Sequence, residues 1–413
     1  MDSVRFAVVG IGGFAGSHHA SLRTETELGN ARLVAVADIA LDKFPKEVAE
    51  FQARGVRVYH DAGEMLARER GAADVVTLPV GIAAHAPLAV AAMEAGFDVL
   101  VEKPPAATVE DVDAMIAASR RTRRFCAVGF QYMSSPLLRR LKSLLVSGRL
   151  GDLREVACRA HWPRGDRYYA RNAWAGRHRV NGKWVLDGPM NNALAHQVMN
   201  LLFLAGPTRD EPAVPIRIRA ELYHVRDIGG EDTTTFVADT DAGPRLFFGV
   251  THACEKTAGP LFRIRGTRGT VSGRIDGPLT VALDDGTGLT LEAGPAPGRS
   301  PVFANVIDYF RGDASALDCP VARTRPMTLA VNGAYESSRQ IHAVPADVVR
   351  TGRLVIKQSE DRVFWVPGLD AALEQGWERM QTLSEVGVPW AVATRAVDLA
   401  GYSRFTGADL PRD

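Results

Sequence analysis

The amino-acid sequence predicts an α/β protein, with a doubly wound parallel sheet in its N-terminal third and then an α+β domain with a large open, mainly antiparallel sheet. Up to residue 130, strand-like apolar runs alternate with helix-length amphipathic segments, which is typical of a parallel sheet covered on both faces. From Leu153 the pattern changes to strict alternation, which is typical of an antiparallel sheet. The 413 residues also exceed what one hydrophobic core usually organises.

The first sheet is predicted from six apolar runs, enough for a complete doubly wound parallel sheet. These runs are Val4–Val9, Leu33–Ala37, Val56–Tyr59, Val75–Leu78, Val99–Val101 and Cys126–Phe130. Helical patterns lie between them. One of these runs from Pro87 to Ala95 and ends at Gly96, a usual helix C-cap.

The second sheet is predicted from the alternation of Val156, Cys158 and Ala160 with their neighbours, and from later runs of the same kind. The later runs are Ile216–Val225, Thr233–Asp239, Arg245–Cys254 and Leu261–Arg265. We therefore predict a domain with the parallel sheet over residues 1–130 and an α+β domain over 131–345. The tryptophans of residues 346–413 indicate a C-terminal extension packed on the body.

Composition and charge exclude several classes of partner. The formal net charge is +1, and no Lys/Arg run is dense enough to track a phosphate backbone, so nucleic acid is not expected. No apolar run approaches the roughly 18 residues of a membrane span. Residues Met1–Val4 lead directly into a strand pattern, and the four cysteines are scattered without a C-x-x-C pair. We expect a cytoplasmic protein without a metal site.

A glycine-rich turn follows the first predicted strand. Gly10, Gly12 and Ala15 stand in the G-x-G-x-x-A pattern where that strand ends and a helix begins. Gly10 permits the tight turn, Gly12 lets the backbone approach a pyrophosphate, and Ala15 allows close helix packing. Gly13 and Phe14 complete the turn, and all five residues are predicted to contact a dinucleotide in a Rossmann fold.

An acidic residue stands at the end of the second predicted strand. Asp38 is placed to accept hydrogen bonds from the adenosine ribose hydroxyls. Its carboxylate would repel a 2′-phosphate, and the following Ile39–Leu41 contains no arginine. The sequence therefore favours NAD over NADP. In the alternative interpretation, Asp38 caps the next turn.

The fifth strand ends in Glu102-Lys103-Pro104, and together with the glycine-rich turn this resembles the glucose–fructose oxidoreductase/inositol dehydrogenase/MocA (Gfo/Idh/MocA) family. Pro79–His85 resembles the family's loop after strand four, and Gly129–Tyr132 resembles its exit from the dinucleotide domain. The resemblance extends from Val4 to about His342. It implies further cofactor contacts by Leu78, Pro79, His85, Glu102, Lys103 and Gln131.

Lys103 is the first predicted catalytic residue. It lies at the carboxyl edge of a parallel sheet, where open α/β folds bind ligands. An ammonium near an oxidised nicotinamide would have a lowered pKa, which would help it share a proton with a substrate hydroxyl. The family resemblance implies this role or an orienting one. The alternative is a solvated lysine after a strand.

A second signature lies in Asp187–His196. If this segment is helical, Asn192 and His196 lie four residues apart on one face and can point into one cleft. The family's usual pattern is D-x-x-x-H, with the histidine as proton acceptor or donor. Here Asn192 replaces the aspartate, so proton transfer would depend more on His196 and Lys103. Asn191 is predicted to contact the substrate.

The segment from Trp162 to Gly176 is dense in aromatic residues and arginine, and the resemblance places it at the substrate mouth. Flat apolar faces beside fork-shaped donors suit a sugar or polyol, and arginine also suits a carboxylate. The predicted contacts are Arg164, Tyr168, Arg171, Asn172 and Trp174. In the alternative interpretation, the aromatic residues, Tyr169 among them, clamp the loop onto the dinucleotide domain.

These observations predict an NAD-dependent oxidoreductase that transfers a hydride between the nicotinamide and a secondary alcohol carbon of a sugar, polyol or derivative. A redox-neutral enzyme that recycles bound NAD is one alternative. A non-catalytic dinucleotide-binding regulator is another, and Asn192 is the feature that favours it. The resemblance also implies a homodimer or homotetramer formed through the second sheet.

Overall fold

The computed structural model describes residues 3–294, 298–356, 358–407 and 409–410. Met1 and Asp2, which entered the N-terminal prediction, lie outside the described residues, as do five positions of the predicted extension. The chain forms two compact units. The first comprises residues 1–106, 110–135 and 295–325, and the second comprises 107–109, 136–294 and 326–413. Residues 298–325 thus belong to the first unit, although they follow most of the second unit in the chain.

The β-strands are numbered along the chain. They are β1 Val4–Val9, β2 Ala31–Ala37, β3 Arg57–Tyr59, β4 Val75–Leu78, β5 Asp98–Val101, β6 Cys126–Val128, β7 Leu153–His161, β8 Arg179–Val180, β9 Lys183–Trp184, β10 Pro215–His224, β11 Thr233–Thr240, β12 Arg245–Thr251, β13 Ala258–Gly266, β14 Gly269–Gly273, β15 Leu279–Leu283, β16 Gly288–Leu291, β17 His342–Ala343, β18 Arg350–Ile356, β19 Ser359–Trp365 and β20 Val397–Asp398.

The α-helices are numbered in the same way. They are α1 Ala15–Glu27, α2 Pro45–Ala53, α3 Ala62–Arg68, α4 Ile82–Glu94, α5 Val109–Thr122, α6 Pro136–Val146, α7 Asp166–Tyr169, α8 Ala195–Ala205, α9 Pro301–Arg311, α10 Val321–Ser338 and α11 Leu369–Arg379. No helix in the described part of the chain is long and apolar enough to cross a membrane.

The first unit holds a six-stranded sheet in the order β3-β2-β1-β4-β5-β6, and all its neighbouring strands are parallel. This is the strand order of a complete Rossmann sheet. The chain reverses direction across the sheet between β1 and β4, so the crevice at their carboxyl ends is the topological switch point where such sheets bind ligands. The predicted fold class of this part is confirmed.

A late segment completes the core of the first unit. Phe303, Val306 and Ile307 of α9 are buried in the same hydrophobic cluster as Phe6 of β1. The Phe303 and Phe6 rings lie 5.9 Å apart. Just before α9, Arg299 Nε donates to the buried carboxylate of Glu25 at 2.8 Å. Residues nearly 300 positions after β1 are therefore part of the Rossmann unit.

The second unit holds a ten-stranded sheet in the order β16-β15-β14-β13-β7-β12-β11-β10-β17, with β20 paired to β10. Most pairs are antiparallel, whereas β7–β12 and β10–β17 are parallel. The sheet is therefore mixed and mainly antiparallel, as the sequence predicts. The turn after β13 joins β13 to β14 in register Gly266↔Gly269.

Both faces of this sheet are covered at its centre. Helix α8 packs on β7 and β12, and α11 of the C-terminal extension packs on the same two strands. On the α11 side, Ala157 and Phe247 are completely buried and form a cluster with Trp377 and Met380. Alternation directs Phe248 to the other face, where it is also buried.

The face of the sheet opposite α8 carries α11 of the same chain at its centre. Arg263 fastens this contact, because it donates to the Trp377 carbonyl at 2.5 Å and to Glu378 Oε2 at 2.8 Å. The predicted pairing of two such sheets between subunits stays a prediction.

The packing of the extension gives a stability prediction. Val366 is buried in a cluster with Tyr223, Leu369 and Leu373, whereas Val355 is 75% exposed on β18. We expect Val366→Ala to lower the free energy of unfolding by about 1–2 kcal/mol, since two methyl groups leave a packed site. Chemical denaturation measures this. Val355→Ala is the matched control and should change it by less than about 0.5 kcal/mol; equal effects would contradict the packing.

Candidate functional site

The glycine-rich turn lies at the switch point of the first sheet. Gly10 has φ +118°, a backbone conformation that favours glycine. A β-carbon there would lie 3.3 Å from the Ala15 β-carbon and 3.6 Å from the Pro79 carbonyl oxygen. The turn therefore runs directly beside the end of β4. Ala15 is completely buried and begins α1, as the sequence predicts.

The reason for glycine at position 12 differs from the prediction. A β-carbon on Gly12 would overlap the ring of Phe44, which precedes α2. In this conformation the Phe44 ring, rather than an open approach for a pyrophosphate, occupies the space beside Gly12. Gly13 has φ +60° and open space where a side chain would be. Phe14 is 57% exposed beside it.

Asp38 fastens the end of β2 to the glycine-rich turn. Its Oδ2 accepts a hydrogen bond from the Ile11 backbone N–H at 2.8 Å, and its Oδ1 accepts one from the Ala40 N–H at 2.9 Å. The alternative interpretation of Asp38 as a turn cap is therefore correct for one oxygen. Each carboxylate oxygen keeps a second lone pair. The neighbouring Ile39 is 91% exposed, an unusual position for a large apolar side chain.

Glu102 connects the end of β5 to α1. Its Oε1 lies 2.9 Å from Nε2 of the buried His18, and its Oε2 accepts from the Lys103 backbone N–H at 3.2 Å. Its carboxylate also fills the space where a side chain on Gly129 would lie. The Glu102 side chain is thus largely buried in a structural network, and Lys103 is half-buried on the turn that this network holds.

The structure gives His85 a supporting position. Its ring is buried, with Nδ1 2.7 Å from the Pro104 carbonyl oxygen and Nε2 3.0 Å from that of Val80. Burial lowers the pKa of its imidazole. His85 therefore links the loop after β4 to the turn after β5, and its predicted contact with a cofactor stays a prediction.

The two remaining predicted cofactor residues differ in exposure. The Leu78 side chain is buried in the core, and its carbonyl oxygen accepts from the Glu102 N–H at 3.3 Å. Gln131 is exposed and begins a short 3₁₀ helix, Gln131–Ser134.

The segment before α8 is not the continuous helix that the sequence predicts. Pro189–Ala193 forms a π-helical turn, in which the Leu194 N–H donates to the Pro189 carbonyl oxygen at 2.7 Å. Leu194 has φ −120° and ψ +20°, and α8 begins after it. Asn192 and His196 therefore belong to different elements, so the four-residue helical spacing does not relate them. Single π turns occur frequently at functional sites.

Asn192 is bonded to a carboxylate that the sequence analysis did not assign to the site. Its Nδ2 donates to Asp187 Oδ1 at 2.6 Å. Asp187 is buried, and its Oδ2 accepts from Arg171 Nη2 at 2.9 Å and from the Gly176 N–H at 2.7 Å. The carboxylate missing at position 192 is therefore present one hydrogen bond away. The sequence feature that could have predicted this carboxylate is Asp187 itself, the first residue of the Asp187–His196 motif.

A second buried acid lies beside this pair. Glu231 occupies the space where a side chain on Gly188 would lie, and it accepts a hydrogen bond from the buried Tyr335 hydroxyl. Burial raises the pKa of Glu231 to about 8, and the nearby Asp187 charge acts in the same direction. Glu231 is therefore protonated at neutral pH.

Four predicted substrate residues stack within one loop of the second unit. The Arg171 guanidinium lies 3.9 Å from the Tyr168 ring centroid and 5.0 Å from that of Trp174, and Arg164 lies 4.8 Å from Tyr168. Burial raises the pKa of Tyr168 to about 12, so its hydroxyl stays protonated. Asn172 is exposed and accepts from the Trp174 N–H at 3.1 Å. The aromatic rings thus clamp the loop's own arginines.

Asn191 lies inside the protein. Its side chain is completely buried, and Nδ2 donates to the Val185 carbonyl oxygen at 3.2 Å. This hydrogen bond supports the π turn, and the predicted contact of Asn191 with the substrate stays a prediction.

Comparison with known proteins identifies the family. Residues 4–130 match GFO_IDH_MocA, described as an oxidoreductase family with an NAD-binding Rossmann fold, and residues 138–272 match the GFO/IDH/MocA C-terminal domain. The chain belongs to the Gfo/Idh/MocA family. The resemblance predicted from the glycine-rich turn and Glu102-Lys103-Pro104 is confirmed.

Curated members of the Gfo/Idh/MocA family match parts of the chain. An inositol 2-dehydrogenase of Azotobacter vinelandii is 30% identical over 205 residues, which are 49% of this chain and 54% of that protein. An inositol 2-dehydrogenase of Pseudomonas savastanoi is 34% identical over 40% of this chain and 48% of its own. The chain thus spans about half the length of these relatives. A D-apiose dehydrogenase of Paraburkholderia graminis is 25% identical over 70% of this chain and 72% of its own.

Solved structures share the Gfo/Idh/MocA fold. A WlbA dehydrogenase from Chromobacterium violaceum, in complex with NADH and UDP-GlcNAcA, has a TM-score of 0.68 and 24% identity, and covers 82% of this chain and 94% of that one. A WlbA dehydrogenase from Bordetella pertussis has a TM-score of 0.67 at the same identity, over 82% of this chain and 97% of its own.

Proposed function

We propose that this protein is an NAD-dependent dehydrogenase that acts on a secondary alcohol carbon of a sugar, polyol or sugar derivative. The observation that carries the proposal is the buried Asp187, whose hydrogen bond to Asn192 places a carboxylate beside the position of the aspartate in the family's D-x-x-x-H pattern. The named dehydrogenases among the relatives support the same reaction class.

The residues of the first unit fit a dinucleotide. Gly10 and Gly13 have positive φ, and open space lies beside Gly13 at the start of α1, where backbone N–H groups favour an anion. Phe14 and Ile39 are exposed apolar side chains at this edge of the sheet and would cover the adenosine part. Asp38 would accept from the ribose hydroxyls and favours NAD over NADP. Bound NAD supplies the hydride acceptor.

Lys103 and His196 are the proposed acid and base. The Glu102 network holds the backbone of Lys103 through its N–H, and the ammonium would donate a hydrogen bond to the substrate hydroxyl oxygen. His196 would take the hydroxyl proton at a ring nitrogen. Asp187 is proposed as a positioning residue that fixes Asn192 and Arg171 through charge-assisted hydrogen bonds.

The experiment is a substrate screen with purified protein. Sugars, inositols and sugar acids are offered with NAD or NADP, and the NADH absorption band is followed. We expect at least one polyhydroxylated compound to reduce NAD, and NAD to be used better than NADP. If NADH binds but none of these compounds reduces either cofactor, the regulator becomes the better interpretation. Product formation without net NADH would identify a redox-neutral enzyme.

The assembly is proposed to avoid the centre of the second sheet. Because α11 covers β7 and β12, we infer that any homo-oligomer uses another surface. Light scattering on the full chain, and on a variant whose α11 contacts are removed, distinguishes the two arrangements.

A further inference from the structure

The C-terminal hairpin formed by β18 and β19 packs against the loop that follows β7. Arg167 Nη1 donates to Ser359 Oγ at 2.7 Å, and the Arg167 backbone N–H donates to Asp361 Oδ2 at 3.2 Å. A β-carbon on Gly165 would overlap the Asp361 carboxylate. Glycine at 165 therefore lets the hairpin and the loop meet at the backbone.

Asp166 joins this hairpin to the loop after β10 through two arginines. Its Oδ2 accepts from Arg362 Nε at 2.6 Å, and its Oδ1 accepts from Arg226 Nη1. Arg226 Nη2 also donates to the carbonyl oxygens of Arg164 at 3.0 Å and Arg362 at 3.2 Å. Three separate segments of the second unit are thus fixed around one carboxylate.

A cleft of about 1060 Å³ opens at this junction. This volume is at the upper end of the roughly 300–1,000 Å³ that encloses a drug-sized ligand. Its lining includes Asp166, Arg177, Arg226, Asp227, Arg362 and Phe364. Three arginines and two aspartates line it, and Phe364 provides an apolar wall.

The cleft adjoins the proposed reaction centre on this unit. Gly176 lines the cleft, and its N–H donates to Asp187 Oδ2 at 2.7 Å. Asp187 in turn holds Asn192. A ligand group in the cleft would therefore be separated from the Asp187–Asn192 pair by Gly176 alone. Arg362 and Phe364 of the hairpin also line the cleft.

We propose that the C-terminal hairpin is a wall of the substrate cleft, and that Arg362 and Arg177 bind an anionic group, a carboxylate or a phosphate, on a polyhydroxylated ligand. Arg362 is 61% exposed, and hydrogen bonds among the described residues use its Nε but neither terminal nitrogen. The Arg177 side chain is exposed and takes part in no hydrogen bond or ion pair of the described chain. Planar guanidinium groups suit both oxyacids.

This inference deepens the proposed function and rests on it for the ligand class. It also gives a function to the hairpin, which lies beyond residue 272, where the second matched region ends. Helix α11 of the extension packs on the second sheet, and this contact anchors the hairpin beside Asp166.

The test measures binding rather than turnover, in the presence of NADH. Matched neutral and anionic probes are titrated calorimetrically: glucose against glucuronate, galactose against galacturonate, and glucose against glucose 6-phosphate. We expect at least one anionic probe to bind about tenfold or more tightly than its neutral partner, as expected for a hydrogen bond to a charged group. Arg362→Ala and Arg177→Ala should each reduce that preference. Comparison of the two uronates with glucose 6-phosphate shows whether a carboxylate or a phosphate is favoured.

Arg353→Ala is the matched control. Arg353 lies on the same hairpin, is 64% exposed and pairs with Glu360 at 2.9 Å, but does not line the cleft. Its replacement should leave the preference unchanged. Equal binding of every neutral and anionic pair, no binding by any probe, or equal loss in the Arg353 and Arg362 variants would overturn the proposal. Since no step depends on hydride transfer, an inactive protein that keeps the preference would refute only the proposed dehydrogenase.

Discussion

His196→Ala is expected to lower turnover on the identified substrate by about 100-fold or more, with little change in NADH affinity. A positioned general acid or base typically contributes 10²–10⁴-fold. His196 lies on the first turn of α8 in the second unit, whereas the glycine-rich turn and Asp38 belong to the first. Loss of the imidazole should therefore affect proton transfer and leave dinucleotide binding intact. Steady-state kinetics and NADH fluorescence titration measure the two effects.

The control for this variant is His60→Ala. His60 is exposed after β3, away from the predicted cofactor residues in sequence, and its replacement should leave both measurements unchanged. A turnover within a few-fold of the original protein for His196→Ala would remove His196 from the mechanism. A parallel loss of NADH affinity would instead indicate a damaged fold.

Asp187→Ala is expected to lower the free energy of unfolding by about 3 kcal/mol and turnover by about tenfold or more. The substitution removes the acceptor of three N–H groups, on Arg171, Gly176 and Asn192. Loss of one partner leaves the others buried without an acceptor, and this costs more than the net contribution of the pair. Chemical denaturation and steady-state kinetics measure both losses.

Two further variants separate the contributions. Asp187→Asn keeps the shape and one acceptor oxygen but loses the charge, so it should keep more stability than the alanine variant while turnover still falls. Asp276→Ala removes the partner of an exposed pair with Arg274 and should cost less than about 1 kcal/mol. If Asp187→Ala is as stable as Asp276→Ala, the buried network does not support the site as described.

The Rossmann unit could be predicted closely because local pattern and tertiary environment agree there. Central parallel strands are buried on both faces, so they stand out as unbroken apolar runs, and the predicted bounds of Val4–Val9 and Val75–Leu78 are those observed. The glycine-rich turn was equally visible, because the strand–turn–helix context gives its glycines a defined place. The position of the Phe44 ring beside Gly12 could not be predicted, since Phe44 belongs to a different part of the chain, before α2.

The candidate site of the second unit was predicted less well because its geometry depends on non-local hydrogen bonds. The apolar pattern of Asn192–Leu204 is compatible with one helix, and only the backbone at Leu194 separates the π turn from α8. The Asp187 contact with Arg171 joins residues 16 positions apart. Helix α11, Leu369–Arg379, approaches the Phe247 ring of β12 at Gly376, and the sequence pattern does not show this long-range contact.

The return of residues 298–325 to the first unit affects how the protein matures during synthesis. Phe303, Val306 and Ile307 belong to the same core as Phe6, so the six strands alone leave that core incomplete. Most of the second unit's sheet, from β7 to β16, is translated between β6 and α9. During synthesis, part of the apolar surface of the N-terminal sheet therefore stays uncovered until α9 has left the ribosome and can pack on it.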